Sequence, residues 1–125
     1  MKIKVITSYK PGTWKSFARR GIHSMVKQFP KEIDIVMYCE ESQPTDIDAR
    51  IKCIDLNTEE PELFNFKNKY KNDPVANGKM EQVDGGVRRS LDLQGLDKDK
   101  DSFLWDAVRF SNKVFCIVNA VRNSN

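Results

Sequence analysis

The segment Ile33-Asp34-Ile35-Val36-Met37-Tyr38-Cys39 constrains this chain more than any other. It is short for a helix, and both of its alternations are largely apolar, so it reads as a strand. A strand of that kind is buried on both faces, as in a parallel sheet covered by helices. What precedes it fits. Trp14, Phe17, Ala18, Gly21, Ile22, Met25, Val26 and Phe29 recur at helical spacing over about residues 14–29. Thr13 is placed to cap that helix and Pro30 to end it. Gly21, on the apolar stripe, is expected to let the helix approach the sheet closely. Ahead of the helix, Ile3, Val5 and Ile6 mark a strand at about residues 2–8, which turns through Tyr9-Lys10-Pro11-Gly12.

A third strand is expected at about residues 51–56, followed by a helix at about 59–71 capped by Thr58. Glu59, Glu60 and Glu62 fall near the positive end of that helix, and Lys67, Lys69 and Lys71 near its negative end. Residues 72–101 show no period and carry the turn signals Asp73-Pro74, Asn77-Gly78 and Asp84-Gly85-Gly86, so they read as one long loop. Ser102 then caps a final helix over about 103–121. The order predicts a single α/β domain over residues 1–125, with a small, mostly parallel sheet flanked by helices.

Composition removes several classes. Charged residues make up 31% and the net charge is only +3, with the basic residues spread along the chain, so no specific nucleic-acid binding is expected. No stretch approaches the roughly 20 apolar residues of a membrane span, and the start has no signal-peptide core, which predicts a cytoplasmic protein. Cys39, Cys53 and Cys116 are odd in number and widely spaced, which suits reduced thiols. His23 is the sole histidine, which excludes HExxH zinc chemistry.

Five local patterns are candidates for chemistry. The turn Thr7-Ser8-Tyr9-Lys10-Pro11-Gly12-Thr13 leaves a strand end and enters a helix, where phosphate-bearing ligands sit in α/β folds, although an ordinary turn would look the same. In FLWDAVRFSNKVFCIVNAV, Leu104, Ala107, Val108, Phe115 and Val118 form an apolar face. Asp106, Arg109 and Lys113 form a stripe opposite, flanked by Trp105 and Phe110, which either lines a cleft or is a solvated ion pair. Gly85-Gly86-Val87-Arg88-Arg89 could wrap a phosphate or be a basic loop. Asp97-Lys98-Asp99-Lys100-Asp101 opens like a calcium loop but has Ser102 and Val108 where glycine and glutamate belong. Asp46-Ile47-Asp48 is formally a DxD pair, yet it sits in a polar stretch after Pro44 and reads as a surface loop.

TSYKPGTW, ARRG, VMYCEE, EPELFNFKNKY, DPVANG, GGVRR and above all FLWDAVRFSNKV resemble bacterial and phage glycosyltransferase-like proteins of the GT-A, nucleotide-diphospho-sugar transferase, fold. The resemblance runs along nearly the whole chain. It implies a Rossmann-like sandwich that transfers sugar from a nucleotide donor, helped by Mg²⁺ or Mn²⁺. It places Thr7, Ser8, Tyr9 and Lys10 beside the nucleotide, with Arg88 and Arg89 as further phosphate contacts. Arg109 or Lys113 would offset the diphosphate charge, and Asp106 would orient them or meet the sugar. In such proteins an acidic strand follows the last helix, where this chain reaches Asn125. The resemblance therefore implies an incomplete GT-A-like sandwich, the donor-binding half of a larger transferase, whose metal site, acceptor pocket and catalytic carboxylate lie elsewhere and which has no turnover alone. Two readings from other classes stand beside it: a non-enzymatic interaction module that uses the 72–101 segment, and a small nucleotide- or nucleic-acid-binding domain.

Overall fold

The computed structural model describes residues 3–10, 12–40, 43–89 and 106–124. They divide into two compact units, residues 1–61 with 113–125, and residues 62–112.

The first unit holds the parallel sheet. Strands β1 (Lys4–Tyr9), β2 (Asp34–Cys39) and β3 (Ile51–Asp55) lie in the order β1-β2-β3, and both pairings are parallel. The segment that most constrained the sequence is the central strand: all of β2 but Asp34 is buried. The expected α/β class, a small parallel sheet with flanking helices, is what the chain forms.

The helical stretch after β1 begins as a π-helical turn, Trp14–Ala18, and continues as α1 (Arg19–Gln28). Thr13 does not cap it; its hydroxyl donates to the carbonyl of Lys10 at 2.6 Å. Gly12, at φ +83°, supplies the left-handed residue that this turn needs. Gly21 is exposed, and a Cβ there would meet open space, so close approach to the sheet is not its role. The helix stops because Phe29, ahead of Pro30, is extended. Arg50 then collects the freed carbonyls: Nη1 donates to Val26 at 2.8 Å and Phe29 at 2.9 Å, and Nη2 to Ile33 at 3.2 Å and to Pro30.

Tyr9, Trp14, Ile22, Ile35, Met37, Cys39 and Ile51 form the core between the sheet and this helix, with Met25, Val26, Phe29, Ile47 and Cys53 packed against it. The link from β2 to β3 runs over the same face, since Asp46 accepts from Trp14 Nε1 at 2.7 Å and pairs with Arg19 at 3.0 Å. Two connections on one face are what right-handed crossovers require when the strand order advances in one direction. The trio Asp46-Ile47-Asp48 is thereby committed to local structure, with Asp48 accepting from the Arg50 amide at 2.8 Å, in keeping with a surface loop.

The expected helix at 59–71 is two helices. Asp55, not Thr58, caps the first, α2 (Leu56–Glu59), by accepting from the amides of Asn57 and Thr58. The second, α3 (Pro61–Tyr70), starts after a break at Glu60. In the second unit the supposed long loop contains a hairpin of β4 (Met80–Val83) and β5 (Gly86–Arg89), joined through Asp84-Gly85 with Gly85 at φ +89°. The turn before it is also ordered by side chains: the Asn77 amide donates to the carbonyls of Tyr70, Lys71 and Asp73.

The final helix, α4 (Ala107–Arg122), begins later than the sequence suggested. Asp106 caps it by accepting from the Arg109 amide at 2.7 Å. Ser102, Leu104, Trp105 and the Asp97–Asp101 pattern lie outside the described residues. Among the described residues no helix is long and apolar enough to cross a membrane.

Candidate functional site

Parallel strands bring their C-terminal ends to one edge, and in open α/β sheets ligands bind along that edge. Here it is formed by Ser8, Tyr9 and Lys10 after β1, by Cys39 and Glu40 at β2, and by Asp55, Thr58 and Glu59 where β3 enters α2. The four residues singled out at the end of β1 do not form one surface. Thr7 pairs with Met37, and Tyr9 with Cys39, on the side facing α1. Tyr9 is buried, its ring tilted against Trp14 at a centroid distance of 5.4 Å. Ser8 points to the opposite face, where its hydroxyl meets the Cys116 thiol. Lys10 is exposed, and its carbonyl closes the turn by accepting from the Thr13 amide at 3.1 Å.

The opposite face carries an arrangement that the sequence did not announce. The Tyr38 hydroxyl donates to Asn119 Oδ1 at 2.9 Å, and Asn119 Nδ2 donates to Glu60 Oε1 at 3.0 Å. Arg122 Nη1 donates to the same Glu60 oxygen at 3.0 Å. Asn123 Nδ2 also donates to Asn119 Oδ1 at 3.3 Å, and these partners fix which way the Asn119 amide points. Tyr38, Glu60 and Asn119 are buried, whereas the Arg122 side chain is 61% exposed, so one charge of the pair sits inside and the other at the rim. Burial, then the nearby Cys116, Glu60 and Glu59, raise the Tyr38 phenol above its ordinary pKa. Burial, then Glu40, push the Cys116 thiol up to about 11. Both groups therefore stay protonated at neutral pH: Tyr38 serves as a hydrogen-bond donor, and neither is poised as a nucleophile. Beside this network a cleft of about 950 Å³ opens over β2 and β3. Val36 and Ile54 contribute to its lining, as do Lys52, Asp55, Glu59 and Asn123.

Compared with protein families, with curated proteins and with solved structures, the chain matches none. The reading of its function therefore rests on the residues themselves.

The remaining expected residues are distributed as follows. Asp106 is buried and engaged twice, as the cap of α4 and in an ion pair with Arg109 Nε at 3.3 Å. That is the i,i+3 pair the helical stripe allowed. Both lie in the second unit, whereas Lys113 is exposed in the first. Arg88 and Arg89 are in β5, and their side chains lie outside the described residues. Among the described residues no three His, Cys, Asp or Glu side chains gather to hold a metal ion.

Two signals could have led to Tyr38, Asn119, Glu60 and Arg122. Asn119 interrupts the otherwise apolar IVNAV, and Glu60 stands directly before Pro61, a position that breaks a helix. A polar residue inside an apolar helical run is a residue in search of a partner.

Proposed function

We propose that the first unit is the donor-side part of a glycosyltransferase-like protein and holds the diphosphate of a nucleotide sugar at the C-terminal edge of its three parallel strands. The observation that carries this reading is the order β1-β2-β3 with every pairing parallel, which delivers the β1 turn and the ends of β2 and β3 to one edge. The Lys10 ammonium gives that edge an exposed cation, and the turn after it leads into a helical stretch whose first amides have no carbonyl ahead of them in the helix. Ser8 adds a hydroxyl on the opposite face of the same strand. On this reading Glu40 and Glu59 disfavour a second anion and leave the Lys10 side of the edge to the phosphates.

The reading is tested by titrating the protein with UDP, GDP and UDP-glucose, with and without Mn²⁺, while following backbone amide resonances. Shifts centred on residues 8–16 are expected, and Lys10→Ala should weaken binding roughly tenfold, the size of one charge-assisted hydrogen bond. No response to any of the three nucleotides at millimolar concentration would end the donor-binding reading.

A further inference from the structure

The second half of α4 is packed the opposite way from an ordinary surface helix. Over residues 113–122 it turns Cys116, Asn119 and Ala120 inward and leaves Val114, Ile117, Val118 and Val121 exposed. The last of these is 70% exposed, and the spacing makes one continuous aliphatic stripe pointing away from the sheet. The apolar burial that holds this segment down is limited on the helix to Cys116 and Ala120, against a sheet face that carries Val36 and Tyr38. The other contacts that hold it are directional: Asn119 to Tyr38 and Glu60, Arg122 to Glu60, and Lys4 Nζ donating to the Asn123 carbonyl at 3.2 Å. Two of these contacts converge on a single atom, Oε1 of Glu60. The core on the other face of the sheet contains no residue of α4, so sheet and α1 keep their packing without it.

We propose that residues 113–122 form a releasable strap across the sheet and that the Glu60 carboxylate is its latch. With the latch closed, the buried carboxylate is matched by the Asn119 amide and the Arg122 guanidinium. With it open, Arg122 passes into water with little change, because most of it is already there. The strap then uncovers Ser8 and Tyr38 and is free to bury its aliphatic stripe elsewhere. A helix held mainly by polar contacts opens locally more readily than elements fixed by a packed core.

Native-state amide hydrogen exchange on the whole chain tests this and needs no nucleotide, so its outcome is separate from that of the donor-binding titration. In the wild-type protein, amides of residues 113–122 should exchange at least about tenfold faster than those of β2, by local opening. Glu60→Gln should speed exchange in 113–122 by about a hundredfold while leaving β2 and α1 unchanged, as expected when hydrogen bonds to a charged group are weakened. Arg122→Met, at the rim, should act on the same segment more weakly, and it carries the test if Glu60→Gln does not fold. Wild-type protection of 113–122 equal to that of β2 overturns the proposal. So does a rise shared equally by the strap and the strands in either variant, or no change in 113–122 in both.

Discussion

The two faces of the first unit's sheet are stabilised in different ways. Towards α1, Ile35, Met37 and Ile51 meet Trp14, Ile22 and Met25, and the packing is apolar and without direction. Towards the second half of α4, Tyr38, Asn119 and Glu60 meet through hydrogen bonds, and the helix buries only Cys116 and Ala120 besides Asn119. The same strand, β2, supplies both, alternating Ile35, Met37 and Cys39 on one side with Val36 and Tyr38 on the other. An apolar face tolerates small shifts and fails when volume is removed. A hydrogen-bonded face tolerates loss of volume better and fails when one partner is left alone. The contrast explains why a nearly uniform apolar run in the sequence produces one face that is core and one that holds a polar network.

The largest effect expected of this comparison comes from removing volume on the α1 side. Trp14→Ala should destabilise the fold by about 3–5 kcal/mol, since it deletes a buried ring that packs tilted against Tyr9 and donates to Asp46. Urea unfolding measures it, and a loss under about 1 kcal/mol would mean that this face is not the main core. Next comes alkaline pH, which acts on both faces. Burial, with Cys53 next to it, pushes the Cys39 thiol up to about 12, and burial with Glu40 pushes Cys116 to about 11. Each thiol ionises in the unfolded chain near about 8.5, so above that pH the unfolded state sheds protons that the folded state keeps. The stability tied to each thiol is thus fully present below about pH 8.5. It is lost at about 1.4 kcal/mol per pH unit as pH rises towards the folded value. Urea midpoints that stay level from pH 7 to 10 would contradict the burial of both groups. Cys39→Ala and Cys116→Ala should each remove part of the slope, one from each face.

The α1 side was legible in the sequence, and the opposite side was not. Periodicity finds Ile22, Met25 and Phe29 because a helix that buries an apolar stripe repeats it along the chain. It also finds β2, because burial on both faces leaves an apolar run. The same rule misdirects at α4. Val118, assigned to an apolar face, is 40% exposed, and the buried side carries Ser111, Asn112, Cys116, Asn119 and Ala120. There Asn119 is turned inward by hydrogen-bond partners on distant segments, and the sequence marks it only as a polar break in IVNAV without naming those partners. Asp106 looked like one of three charges on an open stripe, whereas it is a buried cap whose partner is the helix's own backbone. The β4–β5 hairpin was missed for another reason: its Asp-Gly turn was visible, but MEQV and GVRR are too short and polar to signal strands. The candidate turn at Lys10 followed from a strand that runs through a turn into a helix, whereas the partners in the network at Glu60 needed coordinates.

Two smaller substitutions sharpen the contrast from the α4 side. Tyr38→Phe removes only the hydroxyl and keeps the buried ring, so it should destabilise by about 1 kcal/mol through the lost bond to Asn119. A loss of the size expected for Trp14→Ala would mean that the two faces do not differ in kind. The smallest effect is also the most discriminating. Val121 is 70% exposed on a helix, and alanine is the better helix former by a few tenths of a kcal/mol. If the aliphatic stripe is bare, Val121→Ala leaves stability unchanged or slightly higher, because no packed contact is lost. If the stripe is covered in solution, the same change removes two methyl groups from an apolar contact and lowers stability by about 1 kcal/mol or more. Thermal unfolding at two protein concentrations separates the cases further, since a stripe covered by another chain makes the midpoint depend on concentration. A loss on Val121→Ala that grows with protein concentration would place a partner on the outer side of α4, and the inverted packing of that helix would then be the way it presents an apolar surface to it.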